Sequence, residues 1–213
     1  NAAGALTGYA DGFAFGAAAN GVSFGRYTNR VGEWQFTAQL QTTFGQGNAG
    51  PRIGPVVLNE IHYQPAAGDL EFVELKNLSA QPVALFHPLY PTNTWRLRGV
   101  DFDFPANTVL PPGGLAIVAG SDPVLFRTRN SIPDSVPVLG PFQGTLQNSG
   151  EWLEIQQPDA PDLETNSLGE VKVIVPFVTI DAVRYNDKAP WPTNAAGFGP
   201  SLERLQAAAY GND

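Results

Sequence analysis

The chain has 213 residues, of which 43% are hydrophobic and 15% charged, so it carries enough apolar material for one large folded domain, or one domain plus part of another. It has no cysteine, which excludes thiolate metal sites, cysteine nucleophiles and redox motifs. A net charge of −8 argues against a surface that tracks nucleic-acid phosphates.

The 42 glycines and prolines are spread along the whole chain, which suits many short strands joined by tight turns and leaves little room for helix. Two aromatic-rich alternating stretches open the sequence, Tyr9 to Phe15 and Gly32 to Phe36, with a glycine turn at Asn20-Gly21 between them. From Gln41 to Pro55 the chain is polar and rich in Gly and Pro without periodicity, which reads as a linker and domain boundary. Strand signals then recur at Val56 to Tyr63, Glu71 to Asn77, Pro82 to Phe86, Thr94 to Leu97, Val100 to Phe104, Leu115 to Ala119, Glu151 to Gln156 and Val171 to Tyr185. In the second of these, Val73 and Leu75 point one way and Phe72 the other. Leu110-Pro-Pro-Gly-Gly114 is a turn, and 86–94 and 158–169 read as long loops. Ser121 to Asn130 is the one segment that reads as helix, with Ser121 or Asp122 as its cap. Phe72, Val73, Leu75, Ile117, Trp152, Leu153, Ile155 and Val183 are expected in the main core or on its flanking sheet faces. No apolar run approaches the length of a membrane span.

Two linked patterns occur twice in the same order. Asp11-Gly-Phe-Ala-Phe15 precedes Gly21-Val-Ser-Phe-Gly-Arg26, and Asp181-Ala-Val-Arg-Tyr185 precedes Gly199-Pro-Ser-Leu-Glu-Arg204. Both copies read Asp-x-apolar-x-aromatic, a loop, then Gly-x-Ser-apolar-x-Arg. The expectation is that residues 1–50 are the last strands of one repeat plus a linker, and that 55–213 hold most of a second. No methionine is present, so Asn1 is expected to follow a removed or further segment, and a signal peptide would not be visible.

Val57-Leu-Asn-Glu-Ile-His-Tyr63 followed by Glu71-Phe-Val-Glu-Leu-Lys-Asn77 resembles the opening of a lamin-tail domain of the kind found in bacterial extracellular proteins. Phe102-Asp-Phe-Pro105, Leu110 to Gly114, Gly140-Pro141, Leu146-Gln-Asn-Ser-Gly-Glu151 and the second copy of the repeated pattern fit the same resemblance. It covers residues 55–213. It implies an all-β, immunoglobulin-like antiparallel sandwich without catalytic residues, lacking its last strand here. It further implies a structural or interaction module, secreted or at the cell surface, with the periplasm as an alternative. The partners implied are other protein domains or neighbouring repeats. The alternative is a carbohydrate-binding accessory module that contacts surface polysaccharide.

Several constellations bear on chemistry. Gly21-Val-Ser-Phe-Gly25 matches the nucleophile elbow, but that elbow needs a helix after Ser23 and a downstream acid and histidine, so a turn entering a strand is the better reading. His62 and His87 lack metal-ligand spacing. Glu60, Glu71 and Glu74 cluster on neighbouring strands, and structural hydrogen bonding explains them better than acid–base work. Asp159, Asp162 and Glu164 in one loop are the weak candidates for calcium, the one cofactor considered, with Asp101 and Asp103 behind them. Of the four tryptophans, Trp34, Trp95 and Trp152 read as strand packing. Trp191, between two prolines, reads as an exposed platform for a ligand. Trp34 and Phe36 mark a strand, 32–43, that would complete a sandwich in this chain or a neighbour. Asn77-Leu-Ser79 is a glycosylation sequon.

Overall fold

A computed structural model describes residue 8, residues 12–13 and residues 15–213. The strand expected at 9–15 and Asp11 of the first repeat copy lie mostly outside the described residues. The rest folds as an all-β sandwich. One sheet has five strands in the order Val138–Leu139, Leu115–Ala119, Phe72–Asn77, Val56–His62 and Leu202–Glu203. The other has four, Phe177–Arg184, Trp152–Pro158, Arg96–Arg98 and Phe102–Asp103. Pairing within the sheets is antiparallel except between Leu115–Ala119 and Val138–Leu139, which run parallel.

Alternation decides which side chains meet between the sheets. Val73, Leu75 and Asn77 point inward from one strand, Ala116 and Val118 from the next, and Leu153 and Ile155 from the facing sheet. With Trp95, Tyr63, Tyr185 and Phe104 they make one continuous core. Ile117, Ala119 and Phe72 point the other way and are covered by the helix Pro123–Asn130 through Phe126. Asp122 caps that helix by accepting the Leu125 N–H at 2.8 Å. Of the expected residues, Val73, Leu75, Leu153, Ile155 and Val183 lie in the main core, and Phe72 and Ile117 on the flanking face under the helix. Trp152 sits on the outer face of its strand, 41% exposed, with its indole N–H donating to Glu154.

Two expectations about loops and one about a strand need correction. Residues 86–94 are a tight hairpin of Phe86–His87 and Tyr90–Thr94. Within 158–174 lies a protruding hairpin of Asp162–Thr165 and Val171–Ile174. The run 171–185 is two strands, parted at Pro176, which lacks the N–H a ladder needs: Val171–Ile174 pairs with Asp162–Thr165 and Phe177–Arg184 with Trp152–Pro158. The turn at 110–114 is as expected: Gly114 N–H closes it onto the Pro111 carbonyl, and Gly113 takes the positive φ of +67° the geometry demands. Asn77 is fully buried. Its amide donates to the carbonyls of Gln81, Leu110 and Pro111, and its oxygen accepts from Ser79, so the sequon is a structural joint at the edge of the core.

Candidate functional site

Outside the sandwich, strands Phe24–Thr28 and Trp34–Ala38 form a separate hairpin. Its register puts Phe24, Arg26 and Thr28 on one face with Ala38, Phe36 and Trp34, and puts Tyr27 with Gln35 on the other. The second face is locked to the end of the chain. The Tyr27 hydroxyl donates to the Asp213 carboxylate at 2.9 Å, and Tyr210 stands edge-on to the Tyr27 ring. The Asn29 amide donates to the Asn212 carbonyl at 2.7 Å. Burial, and Asp213 beside it, hold the Tyr27 phenol above its ordinary range.

The outward face is aromatic. Phe13 stacks on Phe36 at 5.2 Å, Phe15 packs on Phe24 at 5.6 Å, and Phe24 on Phe36 at 6.0 Å. The Arg26 guanidinium lies over the rings of Phe13 and Trp34, 5.8 and 5.4 Å from their centres. Phe15 is nevertheless 66% exposed and Trp34 60%. Trp34 is therefore an exposed residue, while Phe36, half-buried, packs between Phe13 and Phe24. The strand expected to complete a sandwich joins neither sheet of this chain. It pairs with Phe24–Thr28, and beyond Ala38 the chain bridges to Pro51 through Gln39.

The repeated pattern has a physical meaning in its second copy. Asp181 and Arg204 form a buried ion pair at 2.5 Å, and Asp181 also accepts the Leu58 N–H from the opposite sheet at 2.9 Å. That N–H sits where the ladder between Val56–His62 and Phe72–Asn77 is broken by a bulge. The pair thus staples the two sheets at one side. Burial pushes the Asp181 carboxyl up to about 6, against the pull of Arg204 and the Leu58 N–H.

The remaining candidates are placed as follows. Asp162 and Glu164 lie on the exposed hairpin, while Asp159 is bound up in its own turn with the Ala160 N–H. Among the described residues no group of three His, Asp or Glu side chains is arranged to hold a metal ion. Asp101 faces Arg98 at 3.9 Å. Trp191 is no exposed platform: it is half-buried and packs on the main core, because its N–H turns back onto the Lys188 carbonyl. Ser23 leads into the strand Phe24–Thr28, so the elbow's helix is missing. His62 is buried with Nε2 on the Gly199 carbonyl, and His87 Nδ1 accepts the Leu89 N–H. Glu71 accepts the Leu146 N–H, and Glu74 is bonded by the Asn59 amide; burial raises both carboxyls. Glu203, Glu60 and Glu74 lie directly opposite one another across three strands, with Ser201 donating to Glu60. Two open clefts remain, about 380 Å³ around Glu71 and Thr145 to Ser149, and about 540 Å³ around Arg96, Arg98, Asp101 and Asp103.

Sequence reasoning found Trp34 and Phe36 but missed the inner face of the hairpin. Tyr27, Asn29, Tyr210, Asn212 and Asp213 carry no periodic signal and meet across more than 180 residues of chain. The signal that pointed to their outer neighbours was the repeat itself, since Phe13, Phe15 and Phe24 correspond to the buried Val183, Tyr185 and Leu202.

Sheet order and core define the class: an all-β sandwich with one short helix and an appended aromatic hairpin. No family model matches the chain, and no curated protein matches it. Among the described residues no helix is long and apolar enough to cross a membrane.

Proposed function

We propose that this chain is a non-catalytic structural and interaction module, related to the lamin-tail domains it resembles and acting outside the cytoplasm in a secreted or surface protein. Its task is to hold shape and to make protein–protein contacts with other domains or neighbouring repeats. The observation that carries this is the two-sidedness of the hairpin at 24–38. One face is fixed to the chain's end by directed hydrogen bonds, and the other presents a rigid, stacked aromatic surface to solvent. Ordered aromatics bury large area at low entropic cost when a partner arrives.

The part-by-part geometry weighs against the hydrolase reading. Ser23 enters a strand, and the ring of His62 is committed to a backbone carbonyl. The carbohydrate reading is weakened at Trp191, which packs partly against the core. Its remaining support is the exposed Trp34. A serine-hydrolase activity probe and a glycan array test the assignment together. Neither is expected to give a signal. Labelling at Ser23 would make the chain an enzyme, and glycan binding lost in Trp34→Ala would make it a carbohydrate-binding module.

A further inference from the structure

Of the fourteen asparagines in the chain, Asn20 alone is followed by glycine. Asn20 and Gly21 form the corner of a turn that the Val22 N–H closes onto the Ala19 carbonyl at 3.2 Å. Asn20 is exposed. Gly21 holds a φ of +76°, and nothing lies within 4 Å of the place a Cβ would take. Among the described residues, neither the Asn20 carboxamide nor the Gly21 N–H has a hydrogen-bond partner.

A main-chain nitrogen becomes a nucleophile when a base removes its proton, and a hydrogen bond or a neighbouring Cβ opposes its approach to a side-chain carbonyl. Other asparagines meet one of these obstacles. The Asn29 amide is held by the Asn212 carbonyl, and the next N–H, of Arg30, lies on Asp213. Asn77 is fully buried. After Asn107, the Thr108 N–H is bonded to the Pro105 carbonyl. The Asn166 oxygen accepts two N–H groups of its own loop, and its amide donates to Glu170. Asn148 is the strongest rival, also exposed in a turn, but Ser149 after it carries a Cβ beside the nitrogen.

We infer that Asn20 is a site of spontaneous deamidation in the folded chain, with the Gly21 nitrogen as nucleophile. Hydroxide from solvent takes the proton from the Gly21 nitrogen, which attacks Asn20 Cγ. A C–N bond forms, the bond to the side-chain nitrogen breaks, and that nitrogen leaves as ammonia after gaining a proton from water. The product is a five-membered succinimide. Water then adds at either ring carbonyl, and breaking the C–N bond there gives aspartate or isoaspartate. The net change is one amide hydrolysed, with no oxidation or reduction. Net charge moves from −8 to −9, and the isoaspartate form adds one carbon to the main chain in the turn. The hairpin keeps its place, since the Gln39 N–H on the Ser23 carbonyl and the pairing of Phe24 with Ala38 lie beyond the turn. The modification is therefore a slow, one-way gain of negative charge at the foot of the hairpin.

Warm incubation of the full chain over days, followed by anion exchange and peptide mapping by mass, tests this. A more acidic species is expected, with the conversion mapping to Asn20 and isoaspartate among its products. The conversion should run about tenfold faster at pH 8 than at pH 7, as the deprotonated fraction of a very weak acid does. Asn20→Gln should abolish it, because the longer side chain must close a six-membered ring. Asn148→Ser should leave it unchanged. A synthetic peptide of residues 17–24 supplies the reference rate, and the folded chain should match it within about tenfold. A folded rate more than about a hundredfold below the peptide, conversion at Asn148 in place of Asn20, or an acidic species that persists in Asn20→Gln would each overturn the proposal.

Discussion

The sandwich and the N-terminal hairpin are held by different physics. Every described residue of the main core comes from Val56 or later. The segment before it instead keeps its rings largely at the surface and is attached by polar contacts to the last four residues. A core held by apolar burial unfolds as a unit, whereas a part attached by a few hydrogen bonds can open by itself. The comparison teaches that aromatic content is a poor guide to where stability lies. The hairpin is among the most aromatic parts of the chain and owes its position to an asparagine, a tyrosine and an aspartate.

The largest effect should come from the sheet-to-sheet staple. Arg204→Ala leaves Asp181 buried without its partner and is expected to cost about 3–5 kcal/mol in urea melts, more than most core truncations. Leu75→Ala, from a fully buried site, is expected to cost about 2–5 kcal/mol. A loss below about 1 kcal/mol in either variant would break the contrast between the two regions.

Acidity gives the next largest change. Asp181 titrates at about 6 in the folded chain against about 4 when unfolded, so the folded form holds its proton more tightly. Stability from this group is full below about pH 4 and is lost as pH rises through 6, on the order of 2–3 kcal/mol for a shift of roughly two units. Glu71 and Glu74, shifted upward chiefly by burial, act in the same direction. Thermal melts should therefore show a higher midpoint at pH 4.5 than at pH 7. A midpoint that rises steadily toward neutral pH would contradict the burial argument.

Smaller effects sharpen the comparison. Tyr27→Phe removes the hydroxyl that reaches Asp213 and should cost about 1 kcal/mol. Its effect should be local, with amide exchange speeding up in 24–38 while 72–77 stays protected. Faster exchange in both regions would mean that the hairpin and the sandwich open together. Glu60→Gln relieves the middle of three facing glutamates while keeping an oxygen for Ser201, and should stabilise by about 0.5 kcal/mol. Any loss in a denaturant melt would show that the Glu60 charge is needed.

What was legible in the sequence followed from burial on one side. Phe72–Asn77 and Trp152–Pro158 alternate because one face meets the core, and the helix announced itself through a cap at Ser121 or Asp122, of which Asp122 is the one used. The first strand of the second hairpin, Asp162–Thr165, read as loop because neither face of that hairpin is buried, so its alternation has nothing to mark. The misreading of Trp191 has the opposite cause. Two flanking prolines suggest a surface turn, yet the turn folds the indole back over the core. The Asp181–Arg204 pair was visible as a repeated pattern, but its role depends on a bulge near Leu58 in the other sheet, which no local signal reveals.

Asn212 sits against the outer margin of strand Phe177–Arg184. Its side-chain oxygen accepts the Arg184 N–H at 2.7 Å, and its side-chain nitrogen donates to the Ala182 carbonyl at 3.3 Å. Those are the two bonds a peptide group of an adjacent parallel strand would make. The carboxamide is a counterfeit peptide, one residue long, that occupies the docking positions and offers no onward ladder. Near the other end of the same margin, Ala17 bridges Val178. An incoming strand would have to evict Asn212, and with it the Asn29 and Tyr27 contacts that hold the hairpin. Lateral growth of the sheet is thus coupled to release of the hairpin from the end of the chain.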